Sequence, residues 1–410
     1  MAKDTGWCWF QDPRAIILQG KLVIGGVDGQ TGDVTLGVFD LATETALGSA
    51  LLHPALQRDD HNAPALYGRP DGRLLAMWSM HGNEKKHYYR VSEADDFLRW
   101  GALREYNHDY ADKRGVTYTN LYYLEDQGAL YNIFRDGEHF NPCYIRSTDH
   151  GETWGELTHF ITHDLGSRQR PYARYVQKDA STVAISFTDA HPRQYGNHIY
   201  YAAYRDGAFF RADGSEIKRL SQGPLRTGEA ERVYEGSGQR REGGHGESAP
   251  NSAWTGAMAV DRDGNPHIGY SLYLTNEDHR YRLASWDGAK WVDREIAFAG
   301  NCLWDVETSY TGLLAFDPGD PRRVYISTDV DPATGESSGG VHEIYTAWIE
   351  AVDDVSTIEW SPITRGSEHR NIRPMVVAGD GYKALVWQNG PWTGFVNYDT
   401  DAVGLVLERP

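Results

Sequence analysis

The chain has 410 residues and a formal net charge of -18 at pH 7, so nucleic acid and anionic membrane surfaces, which demand a basic face, are excluded as expected partners. Hydrophobic residues make up 40%, with 13 Trp and 25 Tyr, which excludes a disordered chain. The 44 Gly and 17 Pro are spread along the whole length rather than gathered in a linker, and predict many short strands and turns in a single domain over 1–410.

In chain order, one pattern recurs: an apolar strand, a tight turn, and a second apolar strand. It begins with Arg14–Leu18 and Lys21–Gly25 around Gln19-Gly20. The second unit runs from Asp59-Asp60-His61-Asn62-Ala63-Pro64 through Ala65–Gly68, turns at Arg69-Pro70-Asp71-Gly72, and returns as Arg73–His81. The third pairs Leu121–Leu124 with Ala129–Phe134, and the fourth Tyr172–Val176 with Thr182–Phe187. A stretch near 206–250, rich in Gly, Arg and Glu, then reads as a long inter-blade insertion. The fifth unit pairs Ala257–Val260 with His267–Tyr270, the sixth Gly312–Phe316 with Val324–Ser327, and the seventh Met375–Val377 with Ala384–Trp387. Most turn centres recur about every 50–60 residues, the scale of one β-propeller blade. Between them lie outer strands such as His198–Tyr204 and Arg282–Trp286. The expected fold is therefore all-β, a seven-bladed β-propeller, with two stacked β-sandwiches as the alternative. Ser147-Thr148-Asp149-His150-Gly151-Glu152-Thr153-Trp154 fits the Asp-box pattern S-x-D-x-G-x-T-W, a turn signature that speaks to fold more than to chemistry.

Cys8, Cys143 and Cys302 are odd in number and far apart, which predicts no disulfide framework, and there is no CxxC metal motif. The first residues carry no signal-peptide apolar stretch and no long apolar span follows. The expectation is a soluble monomer, either cytoplasmic or cut from a secreted precursor.

The chemistry gathers at the open ends of the hairpins. His61 and His81 are each ten residues from Asp71, so antiparallel pairing brings them together. Tyr118 and Arg135 are likewise centred on the turn Glu125-Asp126-Gln127-Gly128. In the fourth unit Arg170 and Tyr172 open the first strand and His191 follows the second. Any one of these alone reads as an ordinary hydrogen-bonded strand-end residue, and Arg135 has Asp136 and Glu138 beside it as partners. As a set on adjacent blades they predict one functional rim. Glycoside hydrolysis usually wants two carboxylates flanking the bond. Imidazole, phenol and guanidinium suit elimination across C4 and C5 of a uronic acid instead: Arg neutralises the carboxylate, and His or Tyr moves the protons. The arginines also give an acidic protein a local anion site.

The chain resembles the seven-bladed β-propeller polysaccharide lyases of the BNR-repeat class, the ulvan lyases and the related rhamnose-glucuronate lyases. The resemblance is carried by Trp9-Phe10-Gln11-Asp12-Pro13-Arg14-Ala15, Asp59-Asp60-His61-Asn62-Ala63-Pro64, His81, Tyr118, Arg135, Arg170-Pro171-Tyr172 and His191-Pro192-Arg193. Tyr310-Thr311-Gly312 and Val324–Asp329 extend it over nearly the whole chain. It implies that His61 and His81 are paired active-site histidines, Tyr118 the catalytic tyrosine and Arg135 the carboxylate neutraliser. Arg170 and Tyr172 are implied to contact substrate, and Asn62 and His191 complete the expected binding set. The implied partner is a uronate-containing oligo- or polysaccharide, with no cofactor required for the chemistry. Some relatives hold a structural metal, and His279, Cys302 and His342 are the candidate ligands for a Zn2+ or Ca2+ here. The competing expectations are a sialidase-like hydrolase and a non-catalytic glycan-binding propeller.

Overall fold

A computed structural model describes residues 1–165, 170–242, 244–350 and 354–410. The fold is a seven-bladed β-propeller, and every one of the seven predicted hairpins opens a sheet. Two compact units divide the chain, one of Met1–Thr158 with Met375–Pro410 and the other of His159–Pro374.

In the first unit, the first sheet is Ala15–Leu18, Lys21–Val27, Val34–Asp40 and Thr45–His53. The second is Ala65–Gly68, Leu74–Trp78, Lys86–Glu93 and Asp96–Trp100, with Arg104–Asn107 also pairing to Lys86–Glu93. Thr117–Leu124, Ala129–Arg135 and Pro142–Ser147 open the third, and the seventh, Asn371–Gly379, Tyr382–Asn389 and Asp401–Glu408, belongs to this unit from Met375 onward. Turn chemistry sets these hairpins. Gln19 and Gly20 both have positive φ, 54° and 68°, the backbone of a two-residue turn whose twist matches the strands it joins. At Arg69–Arg73 the left-handed residue is Gly72, at φ 79°.

Strands such as Leu74–Trp78 are buried at every position, because both faces of the sheet are covered. One core joins the first, second and seventh sheets through Ile17, Leu22, Ile24, Val38, Leu74, Trp78, Met375 and Val386. A second lies between the second and third sheets around Leu75, Met77, Leu130 and Ile145, with Trp154 packed against it. The turn that precedes Trp154 closes through Asp149, whose carboxylate receives Thr153 N at 2.9 Å and Thr153 Oγ1 at 2.6 Å.

In the second unit, the fourth sheet runs Ala173–Gln177, Thr182–Phe187, Ile199–Arg205, Ala208–Phe210 and Glu216–Arg219, and Glu231–Tyr234 pairs with Ile199–Arg205. Part of the 206–250 stretch expected as an inter-blade insertion therefore forms strands of this sheet. The fifth sheet is Ser252–Val260, Pro266–Thr275, Asp278–Trp286 and Trp291–Gly300; the sixth is Leu314–Asp317, Asp320–Thr328, Glu343–Trp348 and Ser361–Pro362. Among the described residues no helix is long and apolar enough to cross a membrane.

Candidate active site

The second hairpin pairs Ala65 with Met77 and Leu66 with Ala76, a register centred on Asp71. His61 and His81 accordingly emerge at the same open end. Their rings stack with centroids 3.8 Å apart and planes 13° from parallel. His61 rides on a single 3-10 turn, Asp60–Asn62, whose N-cap is Asp59; the cap carboxylate accepts the His61 N–H at 3.0 Å. The same carboxylate reaches both imidazoles, with Oδ1 2.6 Å from His61 Nδ1 and Oδ2 2.8 Å from His81 Nδ1. One buried carboxylate thus fixes both rings by the same nitrogen and leaves Nε2 of each as the outward-working atom.

Two stacked imidazoles on one carboxylate cannot both carry a positive charge comfortably. Burial works against charge on His61, but its electrostatic interaction with Cys8 and the Asp59 and Asp60 carboxylates outweigh it and raise His61 well above the usual imidazole range. His81 goes the other way: burial, reinforced by the charge on His61 and on Arg135, lowers it to about 4 despite Asp59. Asp59 stays ionised, because the two imidazoles overcome the burial that would raise it. The side chain of His61 is 4% exposed and that of His81 24%, so the neutral ring is the accessible one.

Tyr118 and Arg135 enter from the third sheet. Thr117 pairs with Arg135, but Asn120 pairs with Ile133, so a bulge lies between them and carries Tyr118. Tyr118 takes φ +71°, a left-handed backbone uncommon for a bulky residue. Its ring lies 5.6 Å from that of His61, and the Arg135 guanidinium lies 5.0 Å from the Tyr118 ring. Arg135 is 7% exposed and is paired with no carboxylate among the described residues. The adjacent Asp136 is turned to the loop after it, accepting the N–H groups of His139 and Asn141 at 3.2 Å.

The Trp9–Ala15 segment backs this cluster. Gln11 Nε2 donates to the His61 carbonyl at 2.6 Å. Arg14 donates to the Thr119 carbonyl and, at 3.2 Å, to Asn120 Oδ1, bracing the bulge from behind. Asn62 is fully buried and donates to Gln57, whose Oε1 also receives His81 N at 2.9 Å. Three neighbours were not singled out by sequence: Asp59, Gln57 and Phe395. Phe395 meets His61 and His81 edge-on at 5.1 and 5.5 Å. Asp59 had a readable signal, since an Asp two residues before His61 is placed to cap its turn. Phe395 had none, being more than 300 residues away in sequence.

Arg170, Tyr172 and His191 pack together within the second unit. Arg170 Nε donates to the Tyr172 hydroxyl at 3.1 Å, and the Tyr172 and His191 rings meet edge-on at 5.5 Å. His191 Nε2 is 3.4 Å from Glu307, which also pairs with Arg193. Burial raises the Glu307 carboxyl above its ordinary value against the pull of Arg193. Glu307 was not anticipated either.

The metal-ligand candidates do not make a ligand set as placed. His279 turns both ring nitrogens to backbone carbonyls, Gly300 at 3.2 Å and Thr308 at 2.7 Å. The Cys302 thiol faces Asp305 at 3.7 Å. Among the described residues these three do not bring their ligand atoms within 4.8 Å of one another.

Among curated proteins none matches the sequence. In overall structure the chain is similar to an ulvan lyase of family PL25 bound to -[GlcA(1-4)Rha3S]-, with TM-score 0.67 and 14% identity over 100% of this chain and 96% of that one. It is also similar to the polysaccharide lyase Uly1, with TM-score 0.59 and 11% identity over 97% and 90%. At such identities the likeness speaks to the fold. A model described as BNR repeat-containing family member matches residues 26–299, more than half of the sequence, and the chain accordingly belongs to the BNR repeat-containing family.

Proposed function

We propose that the protein is a polysaccharide lyase that cleaves the bond to O4 of a uronic acid by β-elimination, on a rhamnose-glucuronate or ulvan-type glycan. The observation that carries the reading is a buried Arg135 guanidinium, without a carboxylate partner among the described residues, beside a neutral imidazole held by Asp59. A buried cation faced by aromatic rings rather than a counter-charge is costly in the free protein and becomes favourable when an anionic group binds against it. The uronate carboxylate is such a group, and its neutralisation makes the C5 proton more acidic.

His81 Nε2 is the base in this scheme, since Nδ1 is committed to Asp59 and the ring is uncharged at neutral pH. The C5–H bond breaks, its electron pair forms the C4=C5 double bond, and the C4–O4 bond leaves with its electrons. Tyr118 donates its phenolic proton, which O4 takes up. The His81 imidazolium then returns a proton to the site through solvent. Each positioned transfer is worth roughly 10²- to 10⁴-fold. A hydrolase reading of this cluster is disfavoured: Asp59 has both oxygens on imidazoles and is held ionised, so it is poorly placed to serve as an acid.

The test is absorbance at about 235 nm, where a product with a C4=C5 double bond absorbs, followed over a panel of glucuronate and iduronate glycans. A rise on at least one polymer is expected. No absorbing product from any of them, together with cleavage of a sialoside, sinks the lyase reading.

A further inference from the structure

Two buried histidines that take no part in the elimination lie behind Tyr118. His87 sits on Lys86–Glu93, paired with Tyr106, and His108 directly follows Arg104–Asn107. His87 is 0% exposed and His108 6%. Their rings are joined, with His87 Nδ1 2.8 Å from His108 Nε2. The other nitrogen of His87, Nε2, lies 3.4 Å from the Tyr118 carbonyl oxygen.

A carbonyl oxygen only accepts, so the proton of His87 belongs on Nε2 and its Nδ1 presents a lone pair. That lone pair in turn requires the proton of His108 to sit on Nε2. Both tautomers are thereby fixed from one end. The lone pair left over falls on His108 Nδ1, which is buried and has no hydrogen-bond partner among the described residues. A buried acceptor without a partner costs less than an orphaned N–H, so the arrangement falls on the cheaper side. Burial lowers both rings, His87 well below the usual value and His108 to about 4, and keeps them neutral. Phe134 packs against both at 4.6 and 5.0 Å.

The target of the pair is an unusual one. Tyr118 is the left-handed residue of the bulge, and its carbonyl also receives Ser79 Oγ at 3.2 Å and Thr119 Oγ1 at 2.6 Å. Three donors on one oxygen hold the peptide plane that follows a strained residue, and with it the direction of the phenol.

We infer that His87 and His108 form a tautomer-locked imidazole pair that positions Tyr118 for proton transfer by holding its backbone carbonyl in the bulge. The inference rests on the reading of Tyr118 as the proton donor. His87 and His108 are positioning residues: neither touches the stacked His61–His81 dyad.

Three measurements test it. In His87→Leu, which removes the donor, kcat falls about 10- to 100-fold with KM within about twofold, whereas His87→Gln, which retains an N–H at the position of Nε2, recovers most of the rate. In a Tyr118→Phe background, His87→Leu lowers the residual rate no further, because its effect passes through the phenol; a merely structural role would lower it again. Nitrogen-15 spectra of the unsubstituted protein show both rings as neutral Nε2–H tautomers. An Nδ1–H tautomer at either ring, an unchanged kcat in His87→Leu, or a further loss in the Tyr118→Phe background overturns the inference. Should His87→Leu not fold, the spectra and His87→Gln still decide it. A fully active Tyr118→Phe instead removes the donor reading itself, and the spectra still report whether the pair is locked.

Discussion

At the scale of single residues, the dyad turns on Asp59 rather than on either histidine. Its carboxylate holds the Nδ1–H of both rings and so selects the Nδ1–H tautomer of the neutral His81, the orienting role an aspartate takes beside a histidine base. Asp59→Asn offers an amide N–H where an acceptor is needed, so His81 turns or changes tautomer and its Nε2 is no longer a free base. The expected result is a fall in kcat of about 10²- to 10⁴-fold with a folded protein and a KM little changed, read from initial rates of double-bond formation. The pH profile is a second check. His81 is usable as a base while unprotonated, and burial together with the charges of His61 and Arg135 lowers it to about 4. As pH falls, kcat/KM should therefore hold through the ordinary imidazole range of about 6.5 and decline only towards 4. An acid limb that already falls at about 6.5 would mean that His81 is not the neutral partner.

At the scale of elements, the hairpin joins a turn that governs stability to an open end that carries chemistry, and the two are separable. Gly72 occupies φ +79°, and Gly72→Ala places a Cβ where left-handed backbone disfavours it. It is expected to cost about 1 kcal/mol and lower the melting temperature by a few degrees while the folded enzyme keeps its kcat. A parallel loss of kcat would show that the turn sets the separation of the histidines.

What sequence made legible at this scale follows from period and punctuation. Alternating apolar residues around Gly and Asp turns identify all seven hairpins, and simple counting from Asp71 brings His61 to His81 because that ladder has no irregularity. Counting from the third turn does not hold to the end. It pairs Tyr118 with Arg135, whereas the ladder pairs Thr117 with Arg135 and leaves Tyr118 in the bulge. A bulge has no fixed composition when its residue is a tyrosine rather than a glycine, and the braces that hold it, Arg14, Ser79 and His87, come from distant sequence. The outer strands at 208–234 escaped for another reason. They are short and partly exposed, with an Arg-, Lys- and Glu-rich composition that masks alternation.

At the scale of the whole molecule, a formal charge of -18 sets long-range repulsion against the short-range attraction of a guanidinium for a uronate polymer. The two differ in range, and salt separates them. The screening length is about 30 Å at 0.01 M and about 8 Å at physiological ionic strength, so added salt removes the repulsion felt by an approaching chain first. The contact at Arg135, 7% exposed and desolvated further by a bound sugar, is screened much less. With a polymeric uronate, kcat/KM is therefore expected to rise a few-fold, on the order of two to five, between about 10 and 150 mM salt. A short oligosaccharide, carrying fewer charges through the same field, should show a smaller rise. The distinction lies in which constant moves: screening an encounter changes kcat/KM and leaves kcat alone, since the bound carboxylate is already beyond the reach of bulk ions. A fall in kcat/KM on adding salt would reverse the argument. It would mean that the local field of the basic groups, and not the net charge, governs how the polymer finds Arg135.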